Sequence, residues 1–127
     1  PMETLTTNME NYLEAVYELS RGKNYARVSD IAERLSVSKA SASSAMQTLM
    51  EKGLITTEKY RQVYLTEKGL RLAELISGKH VIIKKFFIDV LAVAPDIADT
   101  DACAIEHVIS SDSVSAMERF LEERDLK

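Results

Sequence analysis

Ser29-Asp-Ile-Ala-Glu-Arg-Leu-Ser-Val-Ser-Lys-Ala-Ser-Ala-Ser-Ser-Ala-Met-Gln-Thr-Leu-Met-Glu-Lys52 reads as two short helices joined by a tight turn. Ser29 is expected to cap the first over 30–35, with Ile31, Ala32 and Leu35 inward. Ser36-Val37 makes the turn, and Ser38 caps a second helix running to about Lys52. Ala42, Ala45, Met46, Leu49 and Met50 form its apolar stripe, and Gly53 is a natural stop. This pattern predicts a helix-turn-helix. The outer side of the second helix carries Lys39, Ser41, Ser43, Ser44 and Gln47, with no acid before Glu51. Small hydroxyls, an amide and one lysine make a surface that can approach a major groove closely. A small-residue helix packed on a neighbour would look the same, and the downstream sequence decides for DNA. Residues 54–58 and 62–65 are strand-like runs joined by Lys59-Tyr-Arg61. A hairpin in this place is the wing of a winged helix, with Lys59 and Arg61 at its tip where a phosphate contact would fall.

Upstream, Thr6, Thr7 or Asn8 can cap a helix running to about Ser20, with a capping box between Thr7 and Glu10. Its stripe is Met9, Leu13, Val16 and Tyr17; Asn11 and Glu14 lie off its centre and by themselves read as a solvated face. Residues 21–24 break the helix, and 25–28 form a short extended piece. Downstream, Thr66 caps a helix with Lys68 and Arg71 in its first turns. Gly69 there costs about 1 kcal/mol against alanine, with no reason visible in the sequence. The helix is expected to weaken at Ser77-Gly78 and resume over 80–91. Ile83, Phe86, Phe87, Val90 and Leu91 share one face, while Ile82 and Ile88 are left over. Such excess apolar surface is usually buried against a second copy of the chain. Pro95 precedes another helix, Asp112 caps a last one containing Val114, Met117, Phe120 and Leu121, and 122–127 is expected to fray.

Asp101-Ala-Cys-Ala-Ile-Glu-His-Val-Ile109 holds the single cysteine and one of the two histidines. If helical, it brings Cys103, Glu106 and His107 to one side, with Ile105, Val108 and Ile109 on the other. Thiol, carboxylate and imidazole together suit a divalent transition metal. Cys103 could equally be a small buried hydrophobe and His107 a hydrogen-bonded surface residue. Three ligands from one helix rarely close a site, so other segments must contribute.

The chain has 127 residues, 46% of them apolar, which predicts one folded domain or two small ones and excludes extensive disorder. One cysteine allows no internal disulfide, which fits a reducing, cytoplasmic setting. No apolar run of spanning length and no leader is present, so no membrane partner is expected. Residues 1–77 carry ten basic and ten acidic side chains, whereas 78–127 carry six and ten. The net charge of −4 therefore lies in the second part, and Lys39, Lys52, Lys59, Arg61, Lys68 and Arg71 can present a local basic face.

Taken together, Glu10-Asn-Tyr-Leu-Glu14, Ser29-Asp-Ile-Ala-Glu-Arg-Leu35, Leu65-Thr-Glu-Lys-Gly69, Lys79-His80 and 101–110 resemble the metal-dependent repressors of the diphtheria toxin repressor and manganese transport regulator type. The likeness covers about residues 5–121 in unbroken order. It implies a mainly α fold, with a winged helix-turn-helix DNA-binding domain over 1–72 and a helical metal-binding and dimerisation domain over 73–127. It implies a homodimer on double-stranded operator DNA, regulation rather than catalysis, and metal ligands at Asn11, Glu14, His80, Cys103, Glu106 and His107. Base reading falls, by the same resemblance, to Ser38, Ala40 and Ser44. The metal would tie the first helix to the dimerisation domain and set the two recognition helices about one DNA turn apart, ~34 Å.

This sequence departs from the family at several positions. Asn11 stands where relatives have aspartate or methionine. Cys103 matches the iron-responsive branch and Glu14 the manganese branch. Lys84 and Asp99 replace a carboxylate and a histidine of the iron branch's ancillary site, so one full site per chain is expected. Iron(II) or manganese(II) is the expected metal, with the thiol inclining toward iron; zinc, cobalt or nickel would bind in vitro. No counterpart of the longer relatives' SH3-like third domain is expected within 1–127. The competing readings are a winged-helix regulator sensing an organic ligand or thiol oxidation, and a cysteine-histidine enzyme. The enzyme lacks a glycine-rich oxyanion loop.

Overall fold

Thr6, one of the three residues that could cap the first helix, is its N-cap. Its extended backbone and side-chain oxygen, which accepts from the amide of Met9 at 3.1 Å, start α1 (Thr7–Leu19). The capping-box expectation is thereby corrected, because the third helical residue is Met9 and not Glu10. The computed structural model describes residues 5–59 and 62–125. After α1 come β1 (Ala26–Arg27), α2 (Val28–Leu35), α3 (Lys39–Glu51), β2 (Ile55–Glu58), β3 (Gln62–Leu65), α4 (Glu67–Asp89), α5 (Pro95–Ile105) and α6 (Ser111–Asp125). Two compact units divide between Glu74 and Leu75.

The first unit is the expected winged helix-turn-helix. Helix α2 starts at Val28 directly out of β1, with Arg27 as an N-cap that makes no side-chain bond, so Ser29 is not the cap. Ser36 closes α2 in the left-handed conformation (φ 56°, ψ 45°) and turns the chain toward α3. Ser38 caps α3 as expected, accepting from the amide of Ser41 at 3.0 Å. Ala42, Ala45, Met46 and Leu49 are buried along α3, against a core that includes Leu13, Val16, Ile31, Ile55 and Val63. The sheet is antiparallel in the order β1-β3-β2, pairing Ala26 with Val63 and Thr57 with Val63.

Gly69 now has a physical reason. A Cβ there would land on the carbonyl oxygen of Leu54, 2.9 Å from its carbonyl carbon. The same carbonyl accepts from the amide of Thr66 at 3.0 Å. The Thr66 hydroxyl donates to Gly53 O (2.7 Å) and accepts from the amide of Gly69 (3.1 Å). Thr66 thus caps α4 and pins its first turn to the start of the wing.

The second unit is helical. Helix α4 is one continuous element over Glu67–Asp89, so the break expected at Ser77-Gly78 does not occur. Ile83, Ala102 and Val114 form a buried cluster, packed against by Ile82, Phe87, Ile105, Ile109 and Met117. Ile82, left over in the helical stripe, is therefore used. Phe86 meets Phe120 edge-on at 5.8 Å. Pro95 is the first residue of α5. Ser110, not Asp112, caps α6, accepting from the amide of Ser113 at 3.1 Å, and α6 is helical to Asp125; the rest of the 122–127 tail lies outside the described residues. Leu75, Val81, Leu91, Ile97, Val108 and Phe120 remain between 49% and 78% exposed. Val108 is the most exposed of these, and no described helix is long and apolar enough to cross a membrane.

Candidate functional site

Helix α5 ends at Ile105, and Glu106 is its C-cap, its amide still bonded to Ala102 O at 3.0 Å. The amides of Val108 and Ile109 then return to Ile105 O, tightening the turn. Lys79 on α4 donates from Nζ to Ile109 O at 3.1 Å and holds that turn from outside. The local sequence gave no sign of this contact, because its partners are 30 residues apart.

The turn delivers Glu106 to the interior, only 2% exposed. Its Oε1 lies 3.6 Å from Nδ1 of His80 and 3.8 Å from Nε2 of His107. The side chain of His107 is as deeply buried, at 2%, and that of His80 is one quarter exposed. Donors each about 2.1 Å from a tetrahedral cation lie about 3.4 Å apart. Each of these two spacings is close to that, so Glu106 could share a divalent transition metal with either imidazole. A carboxylate this deep must be compensated by charge or hydrogen bonds, and a cation held between it and a neighbouring imidazole would do this.

Cys103, three residues before Glu106, is exposed on α5. The three side chains of 101–109 therefore do not share one buried face: those of Glu106 and His107 lie inside and that of Cys103 outside. On the outer side of His80, Nε2 lies 2.9 Å from Oδ1 of Asp99, and that oxygen also pairs with Nζ of Lys84 at 3.2 Å. The hydrogen bond from His80 and then the Lys84 ammonium hold the Asp99 carboxyl below the usual carboxylate range. In the first unit, Asn11 and Glu14 are half-buried on α1 rather than fully solvated.

The exposed face of α3 presents Ser38, Lys39, Ala40, Ser41, Ser44 and Gln47, while Ser43 is half-buried. The Ser38 hydroxyl donates to that of Ser41 at 2.9 Å, so these two present a joined pair. Lys59 is exposed beyond β2; Arg61 lies outside the described residues. Beside β1, Lys23 and Arg27 stand over the ring of Tyr25, at 5.9 and 5.6 Å, a basic group that the helical stripes did not single out.

Two family descriptions account for nearly the whole chain. "Iron dependent repressor, N-terminal DNA binding domain" matches residues 4–63, and "Iron dependent repressor, metal binding and dimerisation domain" matches 66–126. The HTH-type transcriptional regulator MntR of Lysinibacillus sphaericus is 38% identical over 109 residues, covering 86% of this chain and 78% of that protein. The chain belongs to the iron-dependent repressor family.

Solved relatives agree with this. The manganese regulator SloR is 32% identical with a TM-score of 0.79, covering 93% of this chain and 55% of SloR. ScaR with bound Zn2+ is 29% identical, also with a TM-score of 0.79, covering 91% of this chain and 54% of ScaR. The chain thus spans about half the length of these solved chains. Within the iron-dependent repressor family, the first description falls on the winged helix, and the second covers the segment with His80, Glu106 and His107.

Proposed function

We propose that this chain is a transcriptional repressor that binds double-stranded operator DNA as a homodimer when loaded with manganese(II) or iron(II), and so governs metal-ion homeostasis. One observation carries the reading: a buried carboxylate, Glu106, facing ring nitrogens of His80 and His107 in a member of this family. The family resemblance adds Asn11, Glu14 and Cys103 as further ligands. Oxygen and nitrogen donors suit manganese and iron. The exposure of Cys103 weakens the preference for iron that the thiol suggested. Zinc, cobalt and nickel would also bind in vitro, where affinity rather than supply decides.

The bound cation supplies the positive charge that lets a buried carboxylate and two imidazoles sit together. His80 and His107 must offer lone pairs, so loading releases protons and weakens in acid. At a hundred times its dissociation constant, a metal that binds only the DNA-competent state favours that state by about 2.7 kcal/mol. On the DNA side, the proposed contacts are Ser38, Lys39, Ala40, Ser41, Ser43, Ser44 and Gln47 on α3, with Lys59 and Arg61 in the wing. The short side chains of this face favour recognition of DNA shape over a dense code of base contacts. The functional division follows 1–72 for DNA and 73–127 for metal and dimer. The exposed apolar residues of the second unit supply the surface for a second copy. The chain acts in the cytoplasm, where its DNA lies, and catalyses no reaction.

The test is a fluorescence anisotropy titration of the full chain on a panel of duplexes, first with chelator, then with manganese(II) or iron(II) under anaerobic conditions. A large metal-dependent gain in affinity is expected. Equal binding with and without metal would sink the reading and favour an organic-ligand regulator.

A further inference from the structure

His80 stands between two carboxylates. Its Nε2 is 2.9 Å from Oδ1 of Asp99, and its Nδ1 is 3.6 Å from Oε1 of Glu106. A neutral imidazole carries one ring proton, and an ionised carboxylate can only accept. The two carboxylates therefore compete for the same hydrogen. At 2.9 Å Asp99 is within hydrogen-bond range and at 3.6 Å Glu106 is not, so the hydrogen resides on Nε2. Nδ1 keeps its lone pair on the side where Glu106 and His107 converge. Lys84 holds Asp99 in this position, its Nζ 3.2 Å from the same Oδ1.

We infer that Asp99, tethered by Lys84, is a positioning residue that fixes His80 in the Nε2–H tautomer and so makes Nδ1 the atom offered to the metal. The inference rests on the metal-centre reading above. Without Asp99, the buried Glu106 carboxylate would draw the ring proton to Nδ1, and His80 would be spent on a hydrogen bond to Glu106. A histidine's outer hydrogen bond sets which nitrogen coordinates, and losing such a partner typically costs about 10–100-fold in metal affinity. Lys84 neutralises the outer side of Asp99, so the aspartate serves the histidine and not a second cation. The pairing is invisible to local spacing because Asp99 lies 19 residues from His80.

The experiment uses the full chain, metal-free and 15N-labelled, at about pH 8, above the ordinary imidazole range. With only two histidines, long-range proton–nitrogen spectra of the rings are readily assigned with His107→Gln as reference. His80 is expected as the Nε2–H tautomer in the parent. In Asp99→Ala the hydrogen is expected to move to Nδ1, with cobalt(II) affinity, read from its d–d absorption, falling about 10–100-fold. Asp99→Asn, turned to present its carbonyl oxygen, should restore the tautomer and most of the affinity. Lys84→Met should give a smaller loss in the same direction. Asp99 is 54% exposed, so these variants keep the fold, which circular dichroism checks. Unchanged ring signals in Asp99→Ala, or an affinity within about twofold of the parent's, would overturn the inference. A parent chain that binds no metal would instead overturn the metal-centre reading, and the metal-free spectra would still decide the tautomer.

Discussion

Replacing Gly69 by alanine sets two physical expectations against each other. Helix propensity alone favours alanine by about 1 kcal/mol in a helix interior. The packing opposes it. The added methyl would overlap the Leu54 carbonyl oxygen and sit 2.9 Å from its carbon and 3.3 Å from its Cα. These are backbone atoms, and Leu54 cannot retreat easily: its side chain is 1% exposed and its carbonyl holds the Thr66 amide. Overpacking of this kind costs about 1–3 kcal/mol, and a weakened Thr66–Leu54 hydrogen bond adds about 1 kcal/mol. Less the propensity gain, Gly69→Ala should destabilise the first unit by about 1–3 kcal/mol. The assay is a urea titration followed by tyrosine fluorescence. All five tyrosines lie before residue 65 and there is no tryptophan, so the signal reports that unit. The midpoint should fall while the slope stays constant. A midpoint equal to or above the parent's would refute the close-approach argument and leave propensity in charge.

Three other outcomes are expected. Ser38→Ala removes the acceptor of the Ser41 amide and should cost about 1 kcal/mol by the same titration; no loss would mean that water caps α3 equally well. Glu106→Ala and His107→Ala should each lower metal affinity by about 100-fold or more, above what losing an outer partner does, measured by competition with a chelating dye; a change under tenfold would remove that residue from the ligand set. Lys39→Ala and Lys59→Ala should weaken binding to every duplex sequence and reduce the log–log salt slope by about 0.9 per lost contact; an unchanged slope would exclude that lysine from the interface.

What the sequence made legible was mostly periodic and local. The stripe of α3 and the cap at Ser38 follow from hydroxyl and apolar spacing, and Gly53 (φ 75°) stops the helix as a glycine should. Local signals misled where two nearby residues could do one job. The capping box offered from Thr7 gave way to a cap at Thr6, and Ser110 displaced Asp112. Ser29 lost its role because β1, paired to β3, feeds straight into α2. Non-local contacts were out of reach: Gly69 under Leu54, Lys79 on Ile109 and Asp99 on His80. For the metal site, residue types pointed to Cys103, Glu106 and His107 together. Burial separates them, with the carboxylate inside and the thiol outside, which helical spacing alone does not decide.

The apolar side chains left open on the second unit, from Leu75 and Val81 to Val108 and Phe120, bear on dosage. If two chains must meet to cover them, mass action makes the cellular copy number a second input beside metal supply. Halving expression would then shift the metal level at which the target switches, with no change in any ligand.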